Sequence, residues 1–202
     1  MQDIDLKGCV RVSDILKWIK PYENVDLEVL KAKGEIGTDV HKAILCDCSG
    51  DFYCPQTDRA QAYFDSYKML FPEVPVIQQV PRLYCFDHMI TGECDGILPS
   101  HDIIDWKCSA NPFPDLWNMQ AHFYWYLLDI NGYKPSQNMT WVNLRHNKRK
   151  IKDRHTGVIS GLEYTPLLPV SYKFTFDEKV LHKCLEAATR YLEELHNAKC
   201  VV

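Results

Sequence analysis

Apolar positions along the chain repeat first at helical spacing, then at strand spacing, and return to helical spacing at the end. Ser13 is suited to cap a short helix over residues 14–20, stopped by Pro21. Asp26 caps a second, to about Lys33, and Gly34 then breaks the chain. Thr38 opens a further helix through Val40, Ile44 and Leu45. Thr57 and Asp58 open a longer amphipathic one, in which Ala60, Tyr63, Phe64, Tyr67 and Leu70 recur until Pro72.

The period then changes. Residues 74–87 are rich in Val, Ile and aromatics, with Pro75 and Pro81 placing them at a sheet edge or a bend. Residues 90–98 and 102–108 read as two strands around a Pro99-Ser100 turn. Pro114 and Asn131-Gly132 bracket a helix over 115–130. Residues 139–145 and 158–164 read as strands, and 176–196 as a long C-terminal helix. This order predicts a mixed α/β (α+β) fold: one domain over residues 1–202, with a sheet flanked by helices.

Composition narrows the function classes. The 202 residues are 46% hydrophobic, enough for a sizeable core, and 9 Gly and 11 Pro are too few for a low-complexity chain. The formal charge of −4 argues against a protein that coats nucleic acid. Residues 145–154 modify that picture, because Arg145, Lys148, Arg149, Lys150, Lys152 and Arg154 stand against Asp153 alone. Such a run suits a solvated hairpin turn or a phosphate-tracking surface. The nine cysteines form no compact framework, Asp3 and Asp5 stand where a secretory leader wants base, and no apolar run approaches a membrane span. The expectation is a reduced, cytoplasmic (intracellular) protein with no membrane partner.

The informative chemistry lies in Gly92-Glu93-Cys94-Asp95-Gly96 and Asp105-Trp106-Lys107. Three acid-x-Lys triplets occur in the chain, and only this one interrupts a buried-looking β segment with a partner acid one strand back. In a strand, Asp105 and Lys107 share a face. If Pro99, Ser100 and His101 form a three-residue turn, Leu98 faces Asp102. Asp95 then faces Asp105, and Glu93 faces Lys107. Two facing carboxylates repel unless a cation lies between them, and Mg²⁺ takes such hard oxygen ligands. A metal-assisted attack on phosphate, with Lys107 offsetting developing charge, is one reading. A surface hairpin with ordinary solvated charges is the other. His41 falls on a helix ahead of the sheet, and Gln120 and Tyr124 stand at i and i+4 on one helix face.

Taken together, Gly37 to His41, Gly92 to Asp95, Asp105-Trp106-Lys107 and Gln120 to Tyr124 resemble the ordered motifs of the PD-(D/E)XK nucleases, in their RecB-like exonuclease branch. The resemblance covers about residues 34–146. It implies a restriction-endonuclease-like core that cleaves DNA with Mg²⁺ or Mn²⁺. It also implies that His41, Asp95, Asp105 and the Trp106 carbonyl hold the cation, and that Lys107 is the catalytic base or stabiliser. Gln120 and Tyr124 would orient Lys107 or hold the scissile strand, and Glu35 would be an additional acid. The basic residues Arg145, Lys148, Arg149, Lys150 and Lys152 would contact DNA, with Tyr84, Trp106, Trp117 and Trp125 as candidates for stacking on bases.

The chain departs from some relatives. An iron–sulfur cluster of the kind some RecB-like proteins carry needs three C-terminal cysteines, and only Cys184 and Cys200 follow the core after Cys9. The expectation is therefore against a cluster. Cys46, Cys48 and Cys54 lack an evident fourth zinc ligand, although Cys85 is one candidate. No phosphate-binding Gly-x-x-x-x-Gly-Lys-Ser/Thr loop is present. The resulting expectation is a stand-alone exonuclease acting on DNA ends in recombination, repair or replication. It could assemble as an oligomer or work with recombination or replication proteins. Its rivals are an endonuclease of the same fold and a non-catalytic DNA-binding or interaction module.

Overall fold

The structure, a computed structural model, describes residues 8–21, 26–153, 156 and 158–199. Arg154, Cys200 and the acidic N-terminus lie outside these residues. The elements run β1 (Val10–Arg11), α1 (Val12–Ile19), α2 (Leu27–Ser49), α3 (Asp58–Leu70), β2 (Leu83–Cys85), β3 (Ile90–Gly92), β4 (Gly96–Ile97), β5 (Ile103–Lys107), α4 (Pro114–Ile130), β6 (Asn138–Lys152), β7 (Ile159–Thr175) and α5 (Glu178–Lys199). The predicted mixed sheet flanked by helices is present as two small sheets. One has the order β1-β3-β2; the other, β4-β5-β6-β7, combines antiparallel pairs with a parallel β5–β6 pair joined through α4.

Alternation on β5 builds the core in two layers. Ile104 and Trp106 face α2 and α3, where Tyr67 and Phe71 meet the Trp106 ring edge-on. Ile103 faces the other way, with Met139, Trp141 and the buried stripe of α4. Asp105 therefore projects to the side that holds the larger apolar cluster.

Several expectations need correction. Gly34 does not break the chain: α2 is one helix of 23 residues. Asp26 caps it, its side chain accepting from Glu28 N, while Thr38 sits inside it and donates to the Gly34 carbonyl. Helix α1 begins at Val12, so Ser13 is not its cap. Of residues 74–87, only β2 is a strand, with an isolated bridge from Gln78 to Ile97. Residues 90–98 form two strands in different sheets, because the chain leaves one sheet after Gly92 and enters the other at Gly96. The basic run lies in the outer part of β6, paired with β7, rather than in a turn. Helix α3 does follow its Thr57 cap, whose hydroxyl accepts from Ala60 N, and α4 starts on Pro114 as read.

Candidate active site

The turn after β4 fixes the centre of the site. Leu98 N donates to the Asp102 carbonyl, and His101 takes a left-handed φ of 64° to close the three-residue connection. Gly96 pairs with Ile104 and Ile97 with Ile103. This is the register the sequence predicted; Asp95 lies one residue before the ladder, at a bend, and its carboxylate reaches Trp106 N beside Asp105.

Asp95 has both oxygens engaged. Oδ1 lies 2.8 Å from His41 Nδ1, and Oδ2 accepts from Trp106 N at 2.7 Å. Burial pushes this carboxyl up, but the His41 charge and hydrogen bond outweigh it, with help from Lys107, and hold it below the usual carboxylate range. His41 responds reciprocally. Burial pulls the imidazole down, and the Asp95 charge and hydrogen bond more than reverse this.

Asp105 is the opposite case. It is 2% exposed, and Oδ2 lies 2.5 Å from Lys107 Nζ. That close contact makes Lys107 the ion-pair partner of the buried Oδ2. Burial raises its pKa to about 6; Lys107 opposes the rise and the Asp95 charge adds to it.

Gln120 and Tyr124 belong to the same neighbourhood through α4. Gln120 is buried, with Nε2 donating to the Tyr124 hydroxyl at 2.9 Å and Oε1 accepting from Trp141 Nε1 at 3.2 Å. Trp141 is the β6 partner of Asp105. Among the described residues neither Gln120 nor Tyr124 hydrogen-bonds to Lys107, so Gln120 holds the tyrosine rather than the lysine. Gly92 explains the start of its motif: a Cβ there would lie 2.9 Å from Tyr124 Cε1 and from Leu127 Cδ1. The strand can approach α4 only because that atom is missing.

His41, Asp95, Asp105, Lys107 and Tyr124 line one cleft of about 1110 Å³. Its walls also carry Arg11, Lys42 and Arg82, which sequence reasoning missed. Arg11 arrives by the parallel pairing of β1 with β3, a long-range contact with no local signal. Arg82 pairs with Glu93 at 3.2 Å, so Glu93 does not serve Lys107 as the simple register suggested. Cys94 also lines the cleft, and burial together with Asp105 and Asp95 pushes its thiol up, which keeps it protonated. Glu35 is exposed and is not among the residues lining the cleft.

The remaining candidates divide. Trp106 and Trp117 are buried in the core and Trp125 packs against Phe176, so none of the three offers a free stacking face; Tyr84 is stacked with Phe86. Arg145, Lys148, Arg149, Lys150 and Lys152 are all exposed on β6. Cys46, Cys48 and Cys54 are free thiols near the end of α2 and just beyond it.

The donors suit a hard divalent cation. Two carboxylates and an imidazole line one cleft beside an ammonium, and oxygen and imidazole donors of this kind are ones such a cation takes. Among the described residues no group of three or more His, Cys, Asp or Glu side chains is placed so that it could hold a metal ion. Ligation by His41 would compete with its present bond to Asp95.

No protein-family model matches the chain, and no curated protein matches its sequence. Among solved structures it is similar to a phage-related exonuclease from Haemophilus somnus 129PT, with 19% identity over 95% of this chain and 96% of that one and a TM-score of 0.44. It is also similar to an alkaline exonuclease, LHK-Exo, from Laribacter hongkongensis, with 12% identity, 95% and 89% coverage and a TM-score of 0.48. The same exonuclease in complex with dAMP gives 12% identity, the same coverages and a TM-score of 0.39. No helix among the described residues is long and apolar enough to cross a membrane.

Proposed function

We propose that this protein is a metal-dependent deoxyribonuclease that hydrolyses phosphodiester bonds at DNA ends, as a RecB-like exonuclease of the PD-(D/E)XK superfamily. The observation that carries the reading is the buried Asp105 carboxylate. It is 2% exposed, its Oδ2 is paired with the Lys107 ammonium at 2.5 Å, and it lines one open cleft together with Asp95 and His41. The four motifs resembling the RecB-like set converge on this cleft, which adds support.

Asp95, Asp105, His41 and the Trp106 carbonyl would hold Mg²⁺ or Mn²⁺. When bound, such a cation polarises a phosphoryl oxygen and makes water more acidic. The side chains do the rest. Lys107 offsets charge that develops on the phosphoryl group and can hand on or receive the proton of the attacking water. Tyr124, fixed by Gln120, presents a protonated hydroxyl to the cleft, because burial and the Asp105 charge raise its pKa well above the ordinary value. Arg11, Lys42 and Arg82 add positive charge to the walls, where a phosphate backbone would lie. A role in recombination, repair or replication follows from action on DNA ends. An internally cutting enzyme is the runner-up.

Linear and circular DNA, single- and double-stranded, incubated with Mn²⁺ or Mg²⁺, separate the two. Loss of linear DNA with circles intact supports an exonuclease. Cleavage of circles supports the endonuclease. No metal-dependent cleavage of any substrate overturns the nuclease reading.

A further inference from the structure

The outer part of the β6–β7 hairpin has two chemically different faces. Direct pairing places Arg149 opposite Glu163, and the two form an ion pair at 2.6 Å, so the Arg149 charge is offset on that face. On the other face Lys148 pairs with Tyr164, Lys150 with Leu162 and Lys152 with Ile159. All three lysines are exposed, and none has an ion-pair partner among the described residues. Same-face residues of a strand repeat every ~6.6 Å. Three ammonium groups therefore form a ladder whose step is close to that between successive phosphates of an extended polynucleotide strand.

The ladder lies outside the proposed active site. Alternation along β6 places Lys148, Lys150 and Lys152 on the side of Val142 and Leu144, which pack with α2 and α3. Trp141, the β6 partner of Asp105, points the other way. Beside the lysines stand an aromatic ring and two branched apolar side chains. Tyr164 is half-buried with its ring edge-on to His146, while Leu162 and Ile159 are exposed at 38% and 49%. A duplex presents its phosphates and hides its base faces. An unpaired strand presents both, which is what this mixed face matches.

We infer that this face of the hairpin is a second nucleic-acid site, distinct from the cleft, that holds a single DNA strand by its phosphates on the lysine ladder and by its bases on Tyr164, Leu162 and Ile159. The choice of ligand rests on the nuclease reading above. The strand held here is one that is not being cleaved.

The test is binding of a fluorescent single-stranded oligonucleotide to the full chain in EDTA, measured against salt. Hydrolysis of a small chromogenic phosphodiester with Mn²⁺ is followed in parallel. The triple variant Lys148→Gln, Lys150→Gln, Lys152→Gln should weaken strand binding at least tenfold at moderate salt. It should also lower the slope of log K against log salt by about 2, as expected for three phosphate contacts on a single strand. Hydrolysis of the small diester should be unchanged. The triple Lys→Arg variant should restore binding, and Arg149→Gln with Glu163→Gln should change little. Tyr164→Leu should cost about tenfold for the single strand and nothing for a blunt duplex. Unchanged affinity and slope in the triple Gln variant would overturn the inference, as would equal losses for single strand and duplex. A wild-type chain that binds the strand through the ladder but hydrolyses no diester would contradict the nuclease reading and leave the site standing.

Discussion

Asp95 and Asp105 line the same cleft, yet they are held in opposite electrostatic states. Asp95 has both oxygens hydrogen-bonded and a lowered pKa; Asp105 is buried against Lys107 and has a pKa raised to about 6. One carboxylate is held as an anion by the fold, and in the other burial and the Asp95 charge outweigh the nearby Lys107 ammonium.

The first consequence is a pH dependence of stability. Below about pH 4 Asp105 is protonated in both folded and unfolded chains. Between about 4 and 6 the unfolded chain ionises first, so the folded state binds more protons and Asp105 makes stability fall as pH rises. The effect is on the order of 3 kcal/mol and is complete above that window. Asp105→Asn should remove this component from denaturation curves taken across pH. Mn²⁺ should raise Tm more at pH 7.5 than at pH 5, because proton and cation compete for the same oxygens. A pH profile for Asp105→Asn that overlays the wild type would contradict the assignment.

His41 gives the reverse sign. Its pKa is raised in the folded protein, so its contribution is full below the ordinary value of 6.5 and fades as pH climbs through the raised one. His41→Ala should therefore destabilise the protein more at pH 5.5 than at pH 9, as read by chemical denaturation. It should also weaken the Mn²⁺-induced rise in Tm. Equal destabilisation at both pH values would show that the His41–Asp95 contact carries no charge.

Gly92→Ala tests the strand–helix contact. Its Cβ would press on Tyr124 and Leu127 at 2.9 Å, so a stability loss of about 1–3 kcal/mol is expected. Activity should fall further than stability, because Tyr124 must move. Calorimetry with a cleavage assay on the folded fraction measures both. A variant with wild-type Tm and activity would mean that the contact relaxes freely.

The parts of the site that were legible in the sequence are those set by local rules. The Pro99-Ser100-His101 turn fixes the β4–β5 register, and pleat alternation places Asp105 and Lys107 on one face. Helix-start signals marked Asp26 and Thr57 as caps and Pro114 as the entry to α4. What sequence missed depends on distant partners. Gly34 looked like a breaker, yet the helix runs through it with nothing within 4 Å of its missing Cβ. The split of residues 90–98 between two sheets is decided by their pairing with β1, β2 and β5. Arg11 and Arg82 reach the cleft by the same tertiary contacts, and no spacing signals them. The long hairpin was read too short because its outer residues are mostly exposed and lack a simple alternation.

Lys107 carries the central claim, and one comparison tests it. Wild type and Lys107→Ala are purified identically and incubated with linear DNA and Mn²⁺, with Tm recorded with and without the cation. The wild type should degrade the DNA only when metal is present. Lys107→Ala should lose at least a hundredfold in rate while remaining folded and still responding to Mn²⁺. Equal cleavage by the two proteins, or none by the folded wild type with either Mn²⁺ or Mg²⁺, would contradict it.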